Sequence, residues 1–176
     1  MGIKITIPTR LLTFKASERD DWRNGLRENC TDEYLRTLSG TKGFGEYIVG
    51  KHYEDRGYKY LHRFGIFGGN KIGTFPDGDL VIKNRFGEDF FVKSRTLYPS
   101  FNEKVRLELP DLLIYKPDFS EIKFVEVKRQ DTNDKLNTAQ VRTLALLNLL
   151  LECDVEIFEV FLDSNAKQIN DVIWEF

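Results

Sequence analysis

The sequence predicts an α/β domain, a central mixed β-sheet flanked by helices, with a helical N-terminal extension over residues 1–42. Three observations predict it. Residues 43–56 carry Glu46, Val49, Gly50 and Tyr53 at the i, i+3, i+4, i+7 spacing of one helix face. Residues 111–115 and 122–128 read as strands joined by Pro117, Asp118, Phe119 and Ser120, three of which are turn formers. A leucine-rich helix over about residues 137–152 then separates this hairpin from a strand over 155–162 rich in β-branched and aromatic residues, the order expected of a crossover connection.

The N-terminal extension begins with an extended piece over residues 3–7. Ser17 ahead of Glu18 signals a helix whose core side would be Trp22 and Leu26. A second short helix is expected from Thr31, with Asp32 and Glu33 in its first turn, to Gly40. The domain proper is expected over residues 43–176. Its first helix ends at Gly57, where glycine accepts the left-handed conformation of a helix stop. Residues 58–62 alternate as a strand does, residues 65–78 are glycine-rich, and residues 79–83 read as a strand followed by loops or a short helix. Asn137 or Thr138 opens the final helix.

Composition is that of an ordinary globular chain. Of 176 residues, 41% are hydrophobic and 31% charged, enough to bury one core. A net charge of -2 gives no support by itself to nucleic-acid binding, so local charge must carry that argument. Cys30 and Cys153 are far apart and lack metal-ligand spacing, which points to reduced, buried thiols. The longest apolar run, residues 144–151, is interrupted by Asn148 and too short to span a bilayer, and no signal-peptide core appears. A cytoplasmic protein is expected, bacterial or a phage protein in its host, without a membrane partner.

The chemistry lies on the hairpin. If residues 117–120 form a four-residue loop, Lys116 pairs with Glu121, and the register places Asp111 opposite Glu126, with Cβ atoms about 5 Å apart on one face. Lys128, two residues on, points to the same face. Two opposed carboxylates under a covering helix need a counter-charge, and Lys128 is one charge against two or three. A hard divalent cation, Mg²⁺ or Mn²⁺, suits an oxygen-donor set without Cys or His. Glu46 on the buried helix stripe is the third candidate carboxylate.

These residues resemble a known family. Pro110-Asp111 followed by Glu126-Val127-Lys128 is similar to the PD-(D/E)xK nuclease signature, whose preceding helix carries a Glu. Residues 129–136 and Gln140 resemble its VRR-NUC branch, in which a Gln follows a D-x-L stretch; the branch's Val-Arg-Arg reads Val127-Lys128-Arg129 here. The resemblance covers roughly residues 43–162. It implies a restriction-endonuclease-like core and a metal held by Asp111, Glu126, the Val127 carbonyl and Glu46, directly or through water. It also implies that Lys128 orients or activates water and that Gln140 helps to hold the site or the scissile strand. The reaction it implies is metal-dependent phosphodiester hydrolysis, with DNA favoured over RNA and structured, nicked or branched substrates as candidates. A homodimer would suit two-stranded cleavage.

Blander readings accompany each residue. Alternating acid and base on a strand is ordinarily a solvated face, and Glu126 with Lys128 alone would be read so; Asp111, the in-register hairpin and Gln140 tip the balance. Glu46 and Gln140 could be first-turn helix residues. The run Gly65-Ile66-Phe67-Gly68-Gly69-Asn70-Lys71 lacks the GK[ST] ending of a phosphate loop. Arg129, Lys135 and Arg142 are the better candidates for phosphate contacts, followed by Lys71 and then Lys83 and Arg85. His52 and His62 are assigned no functional role. Two other classes stay open: a non-catalytic nucleic-acid-binding or assembly module on the same fold, and a metal-free enzyme of carbohydrate or acyl chemistry using the carboxylates as acid and base.

Overall fold

The computed structural model describes residues 2–67, 71–102 and 106–176, with the backbone alone over 97–102. Gly68, Gly69 and Asn70 of the glycine-rich stretch fall outside them. Among the described residues a five-stranded mixed sheet runs in the order β2 (Thr9–Phe14), β6 (Asp154–Leu162), β5 (Ile122–Arg129), β4 (Leu112–Tyr115), β3 (Lys59–Leu61), and a separate antiparallel pair joins β1 (Lys4–Ile7) to β7 (Val172–Glu175). Helices are α1 (Ala16–Arg23), α2 (Glu33–Thr37), α3 (Phe44–Glu54), α4 (Pro76–Phe86), α5 (Glu88–Asn102) and α6 (Thr138–Leu151). The chain is thus α/β, with helices on both faces of its sheet. Among the described residues no helix is long and apolar enough to cross a membrane.

The hairpin follows its turn chemistry. The Lys116 amide donates to the Glu121 carbonyl at 3.0 Å, Asp118 accepts from the Ser120 amide, and Leu112 to Tyr115 pair antiparallel with Val125 to Ile122. From β5 the chain crosses through α6 to β6, which pairs parallel with β5. Asn137 starts α6 by accepting from the Gln140 amide. Leu144, Ala145 and Leu147 of α6 pack with Phe124, Ile157 and residues of α4 and α5 on one face of the sheet. On the other face, Phe44, Val49 and Tyr53 of α3 pack with Leu112, Ile114, Val125 and Val127.

Several local expectations change. Residues 79–83 are helical, not a strand: Pro76 occupies the first turn, where its missing N–H costs nothing, and Asp79 holds the preceding Gly73 amide at 2.7 Å. The following residues, read as loops or a short helix, form α5. Helix α1 is capped at Lys15 rather than Ser17, and α2 at Asp32, whose carboxylate accepts from the Leu35 amide. Trp22 is buried as expected, whereas Leu26 is 58% exposed. Residues 1–42, expected as a helical extension, supply β2 to the sheet edge, parallel to β6, and Trp22, Cys30 and Leu35 to the apolar cluster under α3. Both cysteines are free and buried.

A candidate metal centre at the end of the hairpin

Asp111 lies one residue before β4. Continuing the pairing of Leu112 with Val125 by one step places it opposite Glu126, as the loop length requires. Asp111 is held there by a hydrogen bond from the Val127 amide to its Oδ2 at 2.8 Å. Glu126 and Lys128 share the pleat of Phe124 and therefore face the α6 layer. Both are buried, Glu126 completely, and Lys128 Nζ lies 2.8 Å from Glu126 Oε1 and 3.5 Å from Asp134 Oδ1.

Glu46 comes from the opposite layer. Helix α3 starts at Gly43, whose φ of +74° is a left-handed conformation that few other residues adopt. Two residues on, Gly45 lets the helix approach β5: a Cβ there would sit 2.7 Å from Arg129 Cγ and 3.1 Å from Val127 Cγ1. This close approach brings half-buried Glu46 to the end of the sheet, where its charge and that of Asp111 act on each other. Glu46, Asp111, Val127 and Lys128 line a cavity of about 350 Å³ with Thr41, Arg129 and Asp134. A larger cavity of about 670 Å³, lined in part by Gln130, Glu159 and Lys167, lacks these opposed buried acids.

The electrostatics follow from burial. Desolvation raises the carboxyls of Glu46 and Asp111 above the ordinary range, although the Val127 amide and Lys128 pull Asp111 back. Glu126 is raised well above that range, first by burial and then by the charge of Asp111, with which it can share a proton. Lys128, 2.8 Å from Glu126 Oε1, opposes this rise. Burial favours the neutral Lys128 amine, but Glu126, Asp111 and Asp134 outweigh it and raise the ammonium's pKa.

Among the described residues no group of three His, Cys, Asp or Glu side chains is arranged to hold a metal together. Mg²⁺ does not require one, because it is commonly held by one or two carboxylates with water and phosphate completing its shell. The opposed, hard-oxygen pair of Asp111 and Glu126, with two Glu126 oxygens lacking aligned donors, fits that requirement.

The other expected residues separate. Gln140 does not line the cavity; its side chain accepts from the Asn137 amide at 3.1 Å and completes the α6 capping box. Arg129 does line it, but its guanidinium is committed to the Thr41 carbonyl at 2.8 Å and to both oxygens of Asp131 at 3.0 and 2.6 Å. Arg142 donates to the Arg106 carbonyl and lies over Trp174. Lys83 pairs with Glu88, and Arg85 lies over Phe86. Lys71 and Lys135 are exposed and line no part of the cavity. The residue overlooked in the sequence is His62, just beyond β3, which the antiparallel pairing of Leu61 with Leu113 brings toward the Asp111 end of β4. A lone His at a strand end carries no spacing signal that would have found it.

Comparison with known protein families and with curated proteins finds no match to this chain.

Proposed function

We propose that the chain is a Mg²⁺- or Mn²⁺-dependent nuclease hydrolysing phosphodiester bonds, most readily in DNA, with Asp111, Glu126, Lys128 and Glu46 as its working residues. The observation that carries this reading is the opposition of Asp111 to the fully buried Glu126 across the hairpin, beside a buried ammonium 2.8 Å from Glu126, with Asp111 and Lys128 but not Glu126 lining a cavity open to solvent. Two buried, opposed carboxyls can ionise together only at a large cost, and a hard cation would relieve that cost in place of the protons they otherwise retain.

Asp111, Glu126 and the Val127 carbonyl would hold the cation, with Glu46 acting through water. When bound, it would lower the pKa of water and neutralise charge on the phosphate. Lys128, 2.8 Å from Glu126 and 3.5 Å from Asp134, would orient a nucleophilic water and stabilise the anionic phosphorane by charge. Asp134, 3.5 Å from Lys128 Nζ, positions the ammonium at the cavity edge.

The test is cleavage of labelled DNA with Mg²⁺ or Mn²⁺. Lys128→Ala is expected to lower the rate by about 10²- to 10³-fold, the usual loss for one transition-state donor. A wild-type protein that cleaves no DNA or RNA with either metal, or a Lys128→Ala protein as fast as wild type, refutes the assignment. The competing reading is a nucleic-acid-binding module on this fold without turnover, against which the intact set of Asp111, Glu126 and Lys128 counts. Binding that persists without cleavage under every metal tested would favour it.

A further inference from the structure

Beside the acidic site lies a column of flat side chains that the hydrolytic chemistry does not use. The ring of Tyr34, 37% exposed, stacks on His62 with centroids 5.5 Å apart and planes 11° from parallel. The exposed Arg63 guanidinium lies 4.6 Å from the Tyr34 ring centroid and 5.3 Å from that of Phe75. Tyr34, Arg63 and Phe75 line a cleft of about 360 Å³, within the size range of ligand pockets. His62 and Arg63 follow β3, whose antiparallel pairing of Leu61 with Leu113 runs toward the Asp111 end of β4, so this cleft lies on the same side of the sheet's end as the site.

We propose that this cleft holds an unpaired nucleobase of a nucleic-acid substrate, stacked where the Arg63 guanidinium now rests against Tyr34 and Phe75. The inference rests on the nuclease reading and narrows its substrate class to single-stranded or locally unpaired nucleic acid. A guanidinium over two rings marks a place where a planar, polarisable group is favoured, and every base offers such a face. Arg63 has a long, exposed stem and can turn to the phosphate of the stacked nucleotide. Charge selects the base over the backbone. Asp32, Glu33 and Asp77 also line the cleft against Arg63 alone, so a phosphate run would be repelled while carboxylates accept from base N–H groups, as on cytosine N4. A duplex, with its bases stacked inside, cannot offer such a group without unpairing.

Fluorescence anisotropy with a labelled single-stranded deoxycytidine oligomer and a matched duplex, in EDTA to prevent cleavage, tests this. Tyr34→Ala and Phe75→Leu are expected to raise the single-strand Kd by about 5- to 150-fold, the range for loss of one base stack, with duplex binding unchanged. Tyr34→Phe keeps the ring and should bind as wild type. Arg63→Ala should weaken single-strand binding and lower its salt slope by about one. Unchanged single-strand affinity in both Tyr34→Ala and Phe75→Leu, or equal weakening for duplex, overturns the proposal. If the wild type still cleaves with Mg²⁺ in that case, the nuclease reading stands without this cleft. If instead the variants lose single-strand binding while the wild type fails to cleave DNA or RNA with either Mg²⁺ or Mn²⁺, the cleft stands and the nuclease reading falls.

Discussion

Replacing Asp111 separates its structural work from its proposed role at the cation. One oxygen accepts the Val127 amide at 2.8 Å, and the other can face the cavity. Asp111→Asn keeps an acceptor for that amide but removes the charge. Asp111→Ala removes both and leaves a backbone N–H without its partner, costing about 1–3 kcal/mol relative to Asn. In a chain of 176 residues each kcal/mol moves Tm by roughly 2–4 °C, so Ala should melt some 2–12 °C below Asn. The cation acts on top of this. Mg²⁺ at a hundred times its Kd stabilises the folded state by about 2.7 kcal/mol, or roughly 5–11 °C for the wild type. Neither variant should show that shift. Differential scanning fluorimetry with EDTA and with a Mg²⁺ or Mn²⁺ series measures both effects. A wild type that melts at the same temperature in both conditions, or an Asp111→Asn protein with the full shift, would refute the assignment of Asp111 as a ligand.

Other consequences follow from the same geometry. Glu46, Asp111 and Glu126 all have carboxyls raised by burial, so the folded chain keeps protons that the unfolded chain releases. Without a divalent cation, stability should therefore fall as pH rises from the ordinary carboxylate range through these raised values, and saturating Mg²⁺ should recover the loss because the cation displaces the protons. Melting curves across pH 4–8 with EDTA or Mg²⁺ read this, and a flat EDTA profile would contradict it. Gly45→Ala should destabilise by about 1–3 kcal/mol in urea, because its Cβ would meet the Arg129 stem and Val127 and push α3 from β5. Gln140→Ala should cost about 0.5–1 kcal/mol through the α6 cap and leave the cleavage rate unchanged; a large fall in rate at full stability would return Gln140 to the site.

The parts of the fold that were legible are those set by local rules. The hairpin register follows from the length of one turn, and the 117–120 loop fixes every pair from Lys116 to Asp111. The stripe of α3 and the capping box of α6 likewise depend on residues within one or two turns. What failed depended on distant chain. Thr9–Phe14 alternates weakly and becomes a strand only because β6 offers its edge, and Val172–Glu175 does so only against β1. The apolar run Leu80, Val81, Ile82 suits a strand or a buried helix equally, and Pro76 with Asp79 decides for helix.

The site divides along the same line. Asp111, Glu126 and Lys128 were legible because one hairpin holds all three, so pairing and period two suffice to gather them. Glu46 required the two layers to meet at the end of the sheet, and the cause is visible in its neighbour: without Gly45 the helix could not approach β5 so closely. His62 required still more, because it neighbours the acids only once β3 has docked antiparallel on β4. Arg129 and Gln140 misled for the opposite reason. Their types suit phosphate or substrate contact, but the Arg129 guanidinium already donates to the Thr41 carbonyl and to Asp131, and the Gln140 side-chain oxygen accepts from the Asn137 amide in the α6 cap.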